Sequence, residues 1–183
     1  MKHVRALLIL VVALLTTSPL WALEPGKDGW YNTGDGVRVK QVAIITAKVY
    51  GIRHDMKCLP PTKSKQAVID AMCDKKFSWR MLRDVDAEKI QNALREAFAK
   101  NGYGDAAKIG QFLGAINKEM KEDTLVSISY NSTSKATTLW IKFADGGTSS
   151  ATVAGDDFMK GVWSIWFGKI DQPSLGDALI SRL

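Results

Sequence analysis

Apolar and polar positions alternate along several stretches of the chain. Val37 and Val39 alternate with Arg38 and Lys40, and the Val, Ile, Thr and Tyr content of residues 37–52 predicts a strand over that segment. A second strand is expected over 76–82, where Phe77, Trp79 and Met81 share one face while Ser78 and Arg80 take the other. Further along, Val126, Ile128 and Tyr130 alternate with Ser127 and Ser129, a turn follows at 131–135, and 137–143 reads as the next strand. Asp145-Gly146-Gly147 supplies hairpin chemistry, and 148–153 returns beside its neighbour. Asn131-Ser132-Thr133 has the form of a glycosylation sequon, but between two strands it is read as turn chemistry. Gly34-Asp35-Gly36 lacks the strand and helix that would make it a phosphate loop and is read as a turn.

Elsewhere the spacing is helical. Asp86 is placed to cap a helix, with Val85 before it and Ile90 inside as a hydrophobic staple. Ile90, Leu94, Ala97 and Phe98 form the apolar stripe, and Asn101-Gly102 stops it. Asp105 opens a second helix carrying Ile109, Phe112, Leu113, Ile116 and Met120. A helix over 156–167 turns Phe158, Val162, Trp163 and Trp166 inward and ends at Gly168. Ser174 then caps a short closing helix with Leu175 and Leu179, and Pro60-Pro61 leads into another near 64–72. Strands in a meander with amphipathic helices beside them predict an α+β fold, an antiparallel sheet packed on a layer of helices.

The amino terminus changes the picture of where this domain works. Lys2, His3 and Arg5 precede the apolar run 6–15, and polar, small residues lead to Ala22, the order of a secretory signal peptide. The run is half the roughly twenty residues that span a bilayer, so cleavage after Ala22 is expected, leaving one domain over 23–183, periplasmic or secreted and without a membrane span. Loss of Lys2 and Arg5 lowers the formal charge from +6 to +4, and the remaining basic residues are interspersed with acids, which argues against nucleic acid as a partner. Cys58 and Cys73 are expected to form a disulfide in such a compartment. No histidine except His54 lies near them, so neither a metal nor a cofactor is expected there or elsewhere. His54 is set against catalysis, because Asp55 beside it points to the opposite face of a strand. Trp140, Trp163, Trp166 and Phe167 either line a cleft or fill the core. No serine or cysteine has a convincing nucleophile partner.

RDVDAEKIQNAL at 83–94 and AGDDFMKGVWSIWFGKIDQPSLGDALISRL at 154–183, in this order of elements, resemble the chalcone isomerase superfamily, whose fold is an open-faced β-sandwich. The resemblance spans most of 34–183 and places Arg38 on the catalytic members' early arginine, Tyr50 on their threonine and Lys48 on a preceding lysine, with Thr46 on the threonine in a shifted register. A span of twelve extended residues is about 40 Å, so Arg38 and Tyr50 cooperate only if the chain reverses between them. The family's remaining polar positions fall on Asp86, Ala93 and Ile165, with Ser164 adjacent to the last. Non-catalytic relatives keep an arginine and a later tyrosine that hold a fatty-acid carboxylate. The resemblance therefore implies a protein with no catalytic residues that binds a fatty acid or other small apolar carboxylate through Arg38, Tyr50 and Thr46. The alternatives are an intramolecular lyase acting on a phenolic enone, and a structural or interaction protein of the envelope.

Overall fold

Every strand of the sheet pairs with the strand next to it in sequence, some through tight hairpins and others across intervening helices. The computed structural model describes residues 23–42 and 44–183, and the expected leader over 1–22 lies outside the described residues. Six antiparallel strands, β1 (Tyr31–Val42), β2 (Ile45–Met56), β3 (Lys75–Met81), β4 (Leu125–Asn131), β5 (Ala136–Lys142) and β6 (Thr148–Ala154), lie in the order of their numbers. The helices are α1 (Lys65–Asp70), α2 (Ala87–Lys100), α3 (Ala106–Leu113), α4 (Asp156–Phe167) and α5 (Pro173–Ala178).

One face of the sheet carries the core. Ile52, Phe77, Met81, Val126, Ile128, Leu139 and Ile141 are buried there, and α4 lies among α1, α2, α5 and β5 with Phe158, Val162, Trp163, Ile165 and Trp166 out of water. Trp140 on the opposite face keeps 41% of its surface exposed. That asymmetry, one face covered by helices and one open, is the α+β open-faced sandwich.

The first strand expected, 37–52, is in fact a hairpin. Val42 stands opposite Ile45, and the strand before the reversal starts at Tyr31. Gly34-Asp35-Gly36 is consequently part of β1 and not a turn. Its glycines serve close approach: a Cβ on Gly34 would run into the Ala178 carbonyl oxygen, and one on Gly36 would come within 2.7 Å of Leu175 Cδ1. Two bulges interrupt the β1–β2 ladder. Asn32 faces Asp55 while Gly34 faces His54, which leaves Thr33 extra on β1; Arg38 faces Tyr50 while Val39 faces Lys48, which leaves Val49 extra on β2.

Helix ends follow the expected chemistry with three exceptions. Ser64 and Asp105 accept from the backbone N–H groups of Ala67 and Lys108. Asp86 stands at the N-cap position but makes no capping bond, because its carboxylate pairs with Lys89 at 2.6 Å. The helix from Asp105 ends at Leu113, and Met120 beyond it forms a β-bridge with Val85, so the apolar spacing of Ile116 and Met120 outlasts the helix. Gln172 occupies the N-cap position of α5 with Pro173 next, where Ser174 was expected.

Cys58 and Cys73 are bridged, with Cα atoms 6.1 Å apart, and close the loop that carries α1. Among the described residues no helix is long and apolar enough to cross a membrane. No group of three or more His, Cys, Asp or Glu among them is placed to hold a metal.

Candidate functional site

The β1–β2 hairpin reaches past the core, and its helix-facing side forms one wall of a cleft of about 670 Å³ against α2 and the end of α4. That volume is ordinary for small-molecule sites, roughly 300–1,000 Å³. The alternation in β1 runs opposite to a simple amphipathic reading. Arg38 and Lys40 line the cleft, while Val37 lies on the open face and stays 38% exposed. Because this end of the strand meets a cavity and not packed side chains, charged residues are tolerated on the inner face.

Arg38 and Tyr50 are direct cross-strand partners and both line the cleft. The bulge at Val49 matters here, since two successive residues of β2, Val49 and Tyr50, then face the same cavity. Arg38 holds Asp171 at 2.7 Å and donates to the Gln172 side-chain oxygen at 3.3 Å. Gln172 also pairs with the free edge of β1, accepting from the Val39 N–H at 2.9 Å and donating to the Val37 carbonyl at 3.0 Å. The arginine is thereby fixed in place by the segment joining α4 to α5. Its cation holds the Asp171 carboxyl below the usual carboxylate range.

Tyr50 stacks on Trp79, with centroids 5.0 Å apart, and its oxygen accepts from Trp166 Nε1 at 3.1 Å. Burial pushes the phenol pKa up, so at neutral pH it is an uncharged donor. Thr46 stands apart from this pair. It lies exposed near the end of the hairpin, opposite Gln41, and is not part of the cleft wall; Lys48 is exposed as well.

The three other positions implied by the resemblance do meet Arg38 and Tyr50. Asp86, Ala93 and Ile165 all line this cleft. Their chemistry is a surface carboxylate tied to Lys89, a methyl group and a butyl group, while the adjacent Ser164 hydroxyl donates to the Lys160 carbonyl within α4. Of the aromatic set, Trp166 joins the cleft, Trp163 and Phe167 are buried around Phe77, and Trp140 is on the open face.

His54 belongs to the core. Trp163 Nε1 donates to its Nε2 at 2.9 Å, which leaves Nδ1–H to donate to Thr33 Oγ1 at 2.7 Å, and the Thr33 hydroxyl in turn donates to the Leu179 carbonyl at 2.7 Å. The chain of bonds needs a neutral imidazole, and burial holds the His54 pKa well below its ordinary value. It ties α4, β2, β1 and the end of α5 together without touching the cleft.

Asp171 and Trp79, which line the cleft, and Gln172, which braces Arg38, are residues that sequence reasoning missed. Asp171-Gln172 sits inside the quoted terminal segment, but nothing local tells that it folds back 133 residues to meet Arg38. A family model described as chalcone isomerase-like matches residues 34–179. No curated protein matches the chain.

Proposed function

This chain belongs to the chalcone isomerase-like family, and from that premise we propose that it binds a fatty acid or similar small apolar carboxylate without turning it over. The observation that carries the reading is Arg38 opposite Tyr50 at one cleft whose wall is continued by Ile90, Leu94, Ile165 and Trp166. A guanidinium and a phenol offer donors to one carboxylate, each charge-assisted bond contributing about 1.5–3 kcal/mol. The alkyl tail adds about 0.8 kcal/mol per methylene removed from water. A phenolic substrate would lose hydration against Ala93 and Ile165 with no polar group in return, which disfavours the isomerase alternative.

The ligand's carboxylate takes the place of Asp171. That side chain is 62% exposed and swings into water, while Arg38, 19% exposed, exchanges one carboxylate for another and stays paired. Export fits the same picture: the disulfide is at home outside the cytoplasm, and the leader is removed after Ala22.

Native mass spectrometry after gentle purification tests both points. The expected result is a chain starting at Leu23 with co-purifying acid, and calorimetric binding of lauric to stearic acids. Arg38→Ala weakens binding at least roughly tenfold without unfolding the domain, and Asp171→Asn tightens it several-fold. Absence of any acid from the purified protein together with no binding of added acids, or equal affinity in Arg38→Ala and the parent, refutes the reading.

A further inference from the structure

The end of the β1–β2 hairpin carries the two most exposed large apolar side chains among the described residues. Ile44 keeps 96% and Ile45 67% of its surface in water, whereas Val37, Leu59, Met72, Leu82 and Trp140 keep 38–45%. Single half-exposed apolar residues are ordinary on a protein surface, but adjacent isoleucines with almost nothing packed against them call for a cause.

Charge is arranged around them. No Asp or Glu occurs between Asp35 and Asp55, a stretch that holds Arg38, Lys40, Lys48 and Arg53. Arg38 is held by Asp171 and Arg53 by Asp55. Lys40 and Lys48 are exposed and form no ion pair among the described residues. They flank the hairpin on both sides: Lys40 lines the cleft, while Lys48 stands opposite Val39, which alternation turns the other way.

The position fits a lipid surface. Lys40 opposite Ala47 is the cleft-lining pair closest to the tip; Gln41 opposite Thr46 and Val42 opposite Ile45 follow before the turn. At about 3.3 Å per residue the tip stands roughly 7–10 Å beyond that pair, comparable with the roughly 5–10 Å to which interfacial apolar side chains sink among head groups. Ile45 is two residues from Ala47 and so on the cleft side of the hairpin. A convex tip of two side chains is far smaller than the roughly 800 Å² that each partner brings to a stable protein interface. A bilayer needs no matching surface and rewards a few apolar groups ringed by cations.

We propose that the tip of the β1–β2 hairpin docks the protein on an anionic lipid surface, with Ile44 and Ile45 entering the apolar layer and Lys40 and Lys48 meeting the head-group phosphates. Docking needs no ligand in the cleft, so it stands apart from the acid-binding reading. Under that reading it sets the Lys40 end of the cleft at head-group level, where an apolar acid leaves the bilayer. Each isoleucine withdrawn from water is worth roughly tenfold or more in affinity, and each lysine beside an anionic leaflet about fivefold. Docking of that size is reversible.

Sedimentation with vesicles tests it, using the mature chain from Leu23 with no acid added. The expected result is binding to vesicles of equal parts phosphatidylcholine and phosphatidylglycerol, at least roughly tenfold weaker binding to phosphatidylcholine alone, and release by high salt. Ile44→Ser combined with Ile45→Ser lowers binding to the anionic vesicles at least roughly tenfold, and Lys48→Glu at least roughly fivefold, while both variants keep the parent's melting temperature. No vesicle binding by the parent, or binding that either variant leaves unchanged, overturns docking and leaves acid binding intact. Vesicle binding by a protein that takes up no dodecanoic acid overturns the acid-binding reading and leaves docking intact. Self-association that the double serine variant abolishes, without vesicle binding, assigns the tip to a second copy of the chain and overturns the proposal. Should the double variant not fold, the parent with methyl-labelled isoleucines decides: nitroxide-bearing lipid broadens the Ile44 and Ile45 methyl signals before those of the buried Ile52 and Ile128, and uniform or absent broadening overturns docking.

Discussion

Lys75 is fully buried, an unusual place for an ammonium group. Its Nζ donates to the carbonyls of Val68 at 2.8 Å and Ile69 at 2.9 Å, closing the carboxyl end of α1, and lies 4.9 Å from the Trp163 ring centroid. Burial pulls its pKa from 10.5 down to about 7, with the Asp70 charge offsetting part of the shift. The unfolded chain therefore binds more protons than the folded one between about pH 7 and 10.5, and stability rises with pH across that window. Tyr130, pushed up to about 12 by burial and Asp156, works in the opposite sense once unfolded tyrosines ionise near 10, so the effect is read below that point. Urea unfolding at successive pH values from 7 to 9 should show a slope approaching 1.4 kcal/mol per pH unit at most, and Lys75→Met should flatten it. An unchanged slope in the variant would remove Lys75 as its cause. His54 adds a contribution on the acid side, where its depressed pKa makes stability rise as pH climbs toward 6.5. Neither role is written locally: Lys75 reads as a polar residue ahead of a strand, and His54 becomes a core group only when Thr33 and Trp163 arrive from distant parts of the chain.

At the scale of elements, β1 is the unusual piece. It is an edge strand whose free side is covered by the Gln172 amide, by α5 and by Arg182, which pairs with Asp35 at 2.6 Å and also donates to Asn32. The covering depends on glycine. Gly34→Ala should force α5 away from β1 and cost about 1–3 kcal/mol, the usual range for overpacking. Faster amide exchange in α5 and around Thr33, together with a lower melting temperature, would be the signature; unchanged exchange in α5 would show that the contact is dispensable. The helix over 156–167 was legible to the residue, because a long apolar stripe with a glycine stop is a local signal. The hairpin within 37–52 was not, because no Gly, Pro or Asn marks its reversal. There the fold is set by cross-strand pairing of Val42 with Ile45 and by the neighbouring strand β3.

Across the whole molecule, the disulfide joins the end of β2 to the approach to β3, and the loop between them carries α1 onto α4 through the Lys160–Asp70 pair at 2.9 Å. Its separation of 15 residues predicts a stabilisation of about 3 kcal/mol through restriction of the unfolded chain. Guanidinium unfolding with and without reductant should show that loss, with α1 amides exchanging faster, while the cleft, built from other elements, keeps its ligand affinity. Equal midpoints would mean that the loop is held by packing alone.

What the linear chain determined was the inventory of elements beyond the first hairpin: alternation specified the strands of the meander, the 3.6-residue period specified α2 and α4, and paired cysteines pointed to their bridge, since each signal is local or depends on residue type. The placement of Arg38 across from Tyr50 was legible only as a possibility through resemblance. Folding decided the rest. A bulge at Val49 brought that residue into the cleft beside Tyr50, a returning segment laid Asp171 on Arg38, and the stacking of Trp79 between two aromatics left its N–H without a partner. These depend on which distant groups share a volume, and hydrophobic burial, being non-directional, leaves no record of that in the order of residues.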